Sequence, residues 1–489
     1  MFPQSRREFL EQSMLAAAAT VAGTGFAGGV QGFAQEGGAA SPNDVIRVAV
    51  IGVRGRGGEH LSETLKRKGV EVVAIVDTDE EVGHTKGVAR VEKETGKKPA
   101  FYQDLRKAFE DKNIDAVTIA TPNHWHSLAA IWAMQAGKDV YVEKPVSHNV
   151  SEGRRVVEFA AHLNKICQAG TQCRSMKGTI DAIAHVHAGK IGEVKLARGL
   201  CYKSRPSIGP KGHYAPPKSV NYDIWSGPAP ELEVTRKQFH YDWHWQWAYG
   251  NGDLGNQGIH QMDIARWGLG VNDIGQGVFS YGARLGYEDA GETANTQINV
   301  HNYGDKNLVF EVRGLPTEPL KGARVGVIFH GSEGYVVLSS YNGGAAFDLD
   351  GKMTKEFKGG GDHFGNFFEA MRSRKPETLA GHIEQGHLSS ALCHLGNISY
   401  RLGQAVSIEQ AKEQLKDAAP QPEVAETFDR VAKHLADNHV DLGSAKLHVG
   451  PVLAIDSVKE TFTGANADQA IPMLTREYRA PYVVPNQVG

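Results

Sequence analysis

The sequence predicts an α/β protein: a doubly wound parallel sheet, then a second α/β domain on an open, mainly antiparallel sheet. Three observations carry this expectation. Short apolar runs at 45–51, 70–76, 115–120, 139–142 and 166–170 alternate with helix-patterned stretches such as 127–135 and 151–163. That is the rhythm of parallel βαβ units covered on both faces. Beyond residue 170, after a helical stretch at 175–188, the runs at 194–202, 277–283, 293–301, 307–312, 324–330 and 334–340 show polar alternation with little helix between them, as in antiparallel strands with one solvated face. Finally, a glycine-rich turn, Gly52-Val53-Arg54-Gly55-Arg56-Gly57-Gly58, closes the first apolar run.

The 489 residues suggest two domains with appendages. At the N-terminus, Ser5-Arg6-Arg7-Glu8-Phe9-Leu10 precedes an apolar run from Met14 to Ala22 and resembles a twin-arginine export signal. Residues 1–35 are expected to be that leader, engaging the twin-arginine translocase and delivering a periplasmic protein. It is followed by a parallel-sheet domain at 45–170, a second domain at 171–412 and an extension at 413–489, either a wrapping arm or an oligomer contact. No apolar run reaches the roughly twenty residues of a membrane span. A net charge of −3 offers no electrostatic case for nucleic acid. The four cysteines, Cys167, Cys173, Cys201 and Cys393, are too few for a disulfide framework and read as buried free thiols.

The glycine turn lies where a dinucleotide fold brings backbone and a helix N-terminus to a pyrophosphate. Gly52 ends the strand and Gly57 takes the third position of G-x-G-x-x-G. Arg54 stands at the second, with Gly55 beside it, and an arginine there is able to contact phosphate. Asp77 ends the next strand, where an acidic residue accepts hydrogen bonds from ribose hydroxyls and favours NAD over NADP; taken alone it reads as a helix N-cap. Thr121-Pro122-Asn123-His124-Trp125-His126 follows the run at 115–120, with Thr121 and Pro122 shaping a loop and Asn123 and His126 available to cofactor or substrate. The alternative for His126 is a place inside the following helix. Glu143-Lys144-Pro145 follows the run at 139–142, placing Lys144 beside a nicotinamide to hold a substrate oxygen by a charged hydrogen bond, with Glu143 and Pro145 fixing the turn.

Together these motifs resemble the Gfo/Idh/MocA oxidoreductase family over residues 45–412. The resemblance implies a Rossmann domain, a second domain whose open sheet often makes a homo-oligomer interface, and a catalytic histidine on a helix after a glycine stretch. Gly250-Asn251-Gly252-Asp253-Leu254-Gly255-Asn256-Gln257-Gly258-Ile259-His260 carries that motif. His260 matches the histidine, while Asn256 occupies the position of the family's usual aspartate. An asparagine orients a histidine without stabilising its charge, so Asp253 or Asp263 is the candidate for that task, and Asp263 is expected to bind substrate as well.

Upstream, Trp243, Trp245, Trp247 and Tyr249 interleave with polar residues. The pattern suits a sugar site, where rings cover apolar sugar faces, or an aromatic core. His240 and His244 with Asp242 place no third strong metal ligand, so no metal is expected. The expected function is an exported NAD(P)-dependent oxidoreductase acting on a secondary alcohol of a sugar, sugar derivative or cyclitol, its NAD tightly held. The alternatives are an NAD-dependent glycosidase using transient oxidation and a non-catalytic sugar-binding member of the fold.

Overall fold

The structure is a computed structural model and describes residues 45–488; the predicted leader lies outside the described residues. Six strands, β1 (Ile46–Ile51), β2 (Val70–Val76), β3 (Ala100–Tyr102), β4 (Ala116–Ile119), β5 (Asp139–Val142) and β6 (Cys167–Ala169), make the first sheet in the order β3-β2-β1-β4-β5-β6. Every neighbouring pair is parallel. Residues of β4 and β5 are buried without exception, because helices cover both faces. Among these helices, α1 (Arg56–Leu65) follows β1, α2 (His126–Gln135) follows β4 and α3 (Val150–His162) follows β5. The Asn149 side chain caps α3 by accepting from the Glu152 N–H at 2.9 Å.

After α4 (Lys177–His187) the chain builds a second sheet from β7 (Val194–Tyr202), β8 (Gly277–Ala283), β9 (Thr296–Asn302), β10 (Asn307–Arg313), β11 (Val325–Gly331), β12 (Gly334–Ser340), β13 (Gly343–Asp348) and β14 (Met353–Lys358). Further along the chain come β15 (Gln404–Ser407), β16 (Lys446–Val449), β17 (Leu453–Asp456) and β18 (Thr461–Thr463). The twelve strands run mainly in the order β14-β13-β12-β11-β7-β10-β9-β8-β16-β15. All pairs are antiparallel except β7–β10, which is parallel. Between β7 and β8 lie the short α5 (Gly252–Asn256) and α6 (Gly258–Leu269); α7 (His363–Ser373) and α8 (Ile383–Arg401) follow β14.

Two features depart from the sequence expectation. The strands β8, β9 and β10 are buried along nearly their whole length rather than on one face. The cover comes from the tail: α9 (Ile408–Ala418) and α10 (Pro422–Asp437) set Leu415, Phe428 and Val431 against Phe279, Tyr281 and Val309. Below α10, the buried Glu311 accepts from Arg430 at 2.6 Å and from the Tyr202 hydroxyl at 2.6 Å. The first sheet is likewise completed from downstream, by Phe364, Phe367 and Phe368 of α7 against Val48, Val50 and Tyr141. Tyr482 and Val484 join the cluster around Trp125. The four cysteines are buried and free. No helix among the described residues is long and apolar enough to cross a membrane.

Candidate active site

A cleft of about 730 Å³ opens at the carboxyl ends of the first sheet's strands and is walled opposite by the loop preceding α5. It includes the point where strand order reverses between β1 and β4, the usual ligand position in such sheets. Its floor is the glycine turn. Gly52 has φ +76°, and a Cβ there would lie 2.8 Å from the Ala120 carbonyl oxygen. At Gly57 a Cβ would come within 1.6 Å of the Gly52 carbonyl oxygen, so this glycine lets α1 pack on the turn and does not itself line the cleft. Gly55, with φ +57° and open space around it, and the exposed Arg54 do line it. This bare backbone facing a helix N-terminus fits a pyrophosphate.

Asp77 stands at the same end. Its carboxylate accepts from the Val53 and Asp79 N–H groups, each at 3.0 Å. Burial raises it to about 6 against the opposing pull of those two donors. The N-cap role offered as the alternative for Asp77 belongs to Asp79, whose side chain accepts from the Val82 N–H.

Charge is handled differently at the opposite end. Glu143 is buried and accepts from Arg56 Nε at 2.8 Å and Gln172 Nε2 at 3.1 Å, with His60 Nε2 at 3.2 Å. Burial alone would raise this carboxyl, but Arg56 and His60 outweigh it and hold the group well below the usual range. The next residue, Lys144, donates from Nζ to the Asn256 carbonyl at 2.7 Å; burial lowers its pKa. His126 joins the two loops, its ring nitrogens lying 2.8 Å from the Thr121 carbonyl and 2.6 Å from the Pro145 carbonyl. Asn123 donates to Asn251 Oδ1 at 3.1 Å, and Pro122 lines the cleft beside them.

His260 sits in the first turn of α6, 5.0 Å from the Tyr341 ring, with Nδ1 buried and unpartnered. Burial, reinforced by the Lys144 charge, pushes it to about 3, so the ring is neutral at ordinary pH. Neither candidate carboxylate is hydrogen-bonded to it, although the Asp263 charge opposes part of that fall. Asp253 is held bidentately by Arg205 at 2.8 and 2.5 Å. Asp263, also expected in the substrate site, is fully buried and spent on Arg174 at 2.8 Å and Ser389 at 2.6 Å, tying α6 to α8. Asn256 lines the cleft and offers Lys144 its backbone carbonyl.

The expected aromatic wall divides. Trp243 lines the cleft, stacked on His244 with centroids 3.7 Å apart. Trp245 is buried beneath the Arg205 guanidinium. Trp247 lies on a different cavity. Tyr249 belongs to a core in which Trp225, Phe239 and Tyr249 surround the buried Arg236, so Trp245, Trp247 and Tyr249 are corrections to a simple stacking wall. Sequence reasoning also passed over Arg56, Gln103, Phe239 and His240 as lining residues, although Arg56 lies within the turn and His240 within the aromatic segment. His240 Nε2 meets Asp79 Oδ2 at 3.0 Å. Nearby, the Asn221 N–H donates to the Thr78 carbonyl at 2.9 Å and the Glu80 N–H to the Ser219 carbonyl at 3.0 Å. The segment before α5 therefore roofs the Asp77 end. Among the described residues no group of three or more His, Cys, Asp or Glu is arranged to hold a metal.

A glycine cradle, a helix N-terminus and a half-buried acceptor at the end of the second strand define a dinucleotide-binding protein of the Rossmann class. Residues 46–171 match the oxidoreductase-family NAD-binding Rossmann domain, and residues 211–435 match the same family's C-terminal alpha/beta domain. The chain belongs to the Gfo/Idh/MocA oxidoreductase family, and its cofactor is NAD.

Curated relatives include a glycosyl hydrolase family 109 protein of Shewanella baltica, 34% identical over 155 residues. An alpha-N-acetylgalactosaminidase of Shewanella oneidensis is 33% identical over 155 residues. Each alignment spans 31% of this chain and 34% of the relative. Among solved structures, the WlbA dehydrogenase of Bordetella pertussis, in complex with NADH and UDP-GlcNAcA, aligns with TM-score 0.55 at 20% identity, covering 73% of this chain and 97% of that one. The corresponding Chromobactrium violaceum enzyme aligns with TM-score 0.56 at 18% identity, covering 74% and 95%. At these identities the likeness is one of fold.

Proposed function

We propose that the protein is an NAD-dependent oxidoreductase acting on a secondary alcohol of a sugar, sugar derivative or cyclitol. The observation that carries this reading is the meeting of Lys144 with the Asn256 carbonyl at the cleft wall, close enough to His260 for the lysine charge to depress the histidine. Bound NAD supplies a hydride acceptor or donor at its nicotinamide C4. The Lys144 ammonium, held by Asn256, hydrogen-bonds the substrate oxygen and stabilises negative charge on it. His260, neutral and with an unengaged nitrogen, accepts the hydroxyl proton. With Asn256 replacing a carboxylate, only the charges of Glu143 and Asp263, outweighed by burial and Lys144, favour the imidazolium, so the proton passes onward to solvent or back to product. Trp243 and Phe239 exclude water and give the sugar an apolar face.

The second reading is a glycosidase in which oxidation of the sugar is transient. The family 109 relatives favour it, as does the roof at Asp79–His240, which suits a cofactor that stays bound. Mixing the purified protein with free sugars and with glycosides separates the two. A lasting change in the reduced-nicotinamide absorbance supports net redox, and aglycone release with no lasting change supports the glycosidase. If denatured protein releases no dinucleotide and none binds when added, both fail.

We also propose export by the twin-arginine route, for which the leader motif is the support. Arg6→Lys with Arg7→Lys is expected to trap the precursor in the cytoplasm, and normal export of that variant refutes the assignment. Homo-oligomerisation, implied by the family resemblance, is checked by light scattering.

A further inference from the structure

A second cavity, of about 400 Å³, lies one hydrogen bond from the dinucleotide cleft, since Asn251 lines it and accepts from Asn123 of the first. Three remote segments converge on it: the loop after β5 with His148, the end of α8 with His394 and Arg401, and the tail with Arg476. Trp247 closes one side. Its volume falls within the range of small-molecule sites.

The hydrogen bonds leave a surplus of donors. Arg476 Nη1 lies 3.1 Å from His148 Nδ1 and 3.1 Å from the Ala248 carbonyl. A guanidinium only donates, so His148 Nδ1 accepts and the proton of the neutral ring stands on Nε2. Burial, followed by the Arg476 charge, keeps His148 well below its usual pKa and therefore neutral. His148 Nε2, Arg476 Nε and Arg476 Nη2 are all buried without a partner. The carboxylate nearest Arg476 is Glu152, 3.8 Å from Nε, and it already accepts from the His148 N–H at 2.9 Å and the Asn149 amide at 2.9 Å. Arg401 adds a further guanidinium, stacked over the Trp247 ring at 5.0 Å. Buried donors are almost always paired, and a set of them with two guanidinium groups matches an oxyanion.

We propose that this cavity binds an oxyanion, either free phosphate or the carboxylate of a sugar acid, with Arg476 and Arg401 on its oxygens and His148 Nε2–H as a third donor. Trp247 forms the apolar side against which a ligand carrying the anion rests. The site is distinct from the NAD cleft and does not depend on the reading of the reaction given above.

Calorimetric titration of the full, NAD-loaded protein tests it, because loading occupies the pyrophosphate cradle that would otherwise take anions. Inorganic phosphate and glucuronate are the two probes, and the one that binds identifies the source. Arg401→Gln, at an exposed position that leaves the core intact, is expected to weaken binding about tenfold. His148→Phe provides a second variant that removes the Nε2 donor together with the acceptor of Arg476 Nη1, and leaves Arg401 untouched. Absence of saturable binding of either probe up to about 20 mM overturns the proposal, as does binding that neither substitution weakens.

Discussion

The two ends of the dinucleotide cleft each present a carboxylate just beyond a parallel strand, buried at Glu143 and half-buried at Asp77, and they treat it in opposite ways. Glu143, after β5, meets Arg56, His60 and Gln172 and stays charged. Asp77, after β2, has only the Val53 and Asp79 N–H groups, and burial raises it to about 6. The difference separates two tasks. At the Lys144 end the electrostatics are built in advance, as a reacting centre requires. At the Asp77 end part of the hydrogen bonding is left for ribose hydroxyls to complete, as a binding site requires.

The contrast is broken most strongly at Lys144. Lys144→Ala is expected to slow the chemical step by about 10²–10⁴-fold, with dinucleotide content unchanged by mass spectrometry of denatured protein. In the wild type, activity should fall at alkaline pH below the ordinary lysine value, because burial lowers the Lys144 pKa and the neutral amine cannot stabilise the substrate oxygen. Next in size, Arg56→Met leaves Glu143 underpaired and should cost about 1–2 kcal/mol in denaturant unfolding. The loss is smaller than for a fully buried pair because the Arg56 side chain is 36% exposed.

Asp77→Asn acts at the other end, weakening NAD binding about tenfold while sparing the chemical step of the loaded protein. Since the folded pKa of Asp77 is raised, its contribution to apoprotein stability is full at about pH 4 and below and is lost as pH rises through about 6. NAD affinity runs the other way, falling as pH drops below about 6. Both dependences should vanish in Asp77→Asn, as monitored by thermal unfolding and equilibrium dialysis. The smallest effect is expected from His240→Phe, which unlatches the roof from Asp79: NAD should dissociate severalfold faster, by stopped-flow competition, with turnover unchanged.

Much of this site was legible in the chain because the parallel sheet forces it. Once Gly52, Asp77, Thr121 and Glu143 each follow an apolar strand, topology alone brings them to one edge. The runs at 70–76, 139–142 and 194–202 coincide with β2, β5 and β7. Partners contributed from far along the chain were not legible. Nothing local says that Arg205 would take Asp253, or that Arg174 and Ser389 would take Asp263. The division of the aromatic segment depended likewise on Arg236, a single buried guanidinium that draws Tyr249 into a core. Strands β16 to β18 and helix α10 went unread because the punctuated, charged tail hides short elements stabilised only by docking on the second sheet.

The central claim, that one end of the cleft holds NAD and the other reacts, is tested most directly by rapid-mixing absorbance of reduced nicotinamide. Wild type and Lys144→Ala would be compared at matched dinucleotide content, over a panel of hexoses, N-acetylhexosamines and inositols. A transient or lasting change in the wild type that is lost in Lys144→Ala is the predicted result. An unchanged signal in the wild type, or an equal signal in Lys144→Ala, would contradict it.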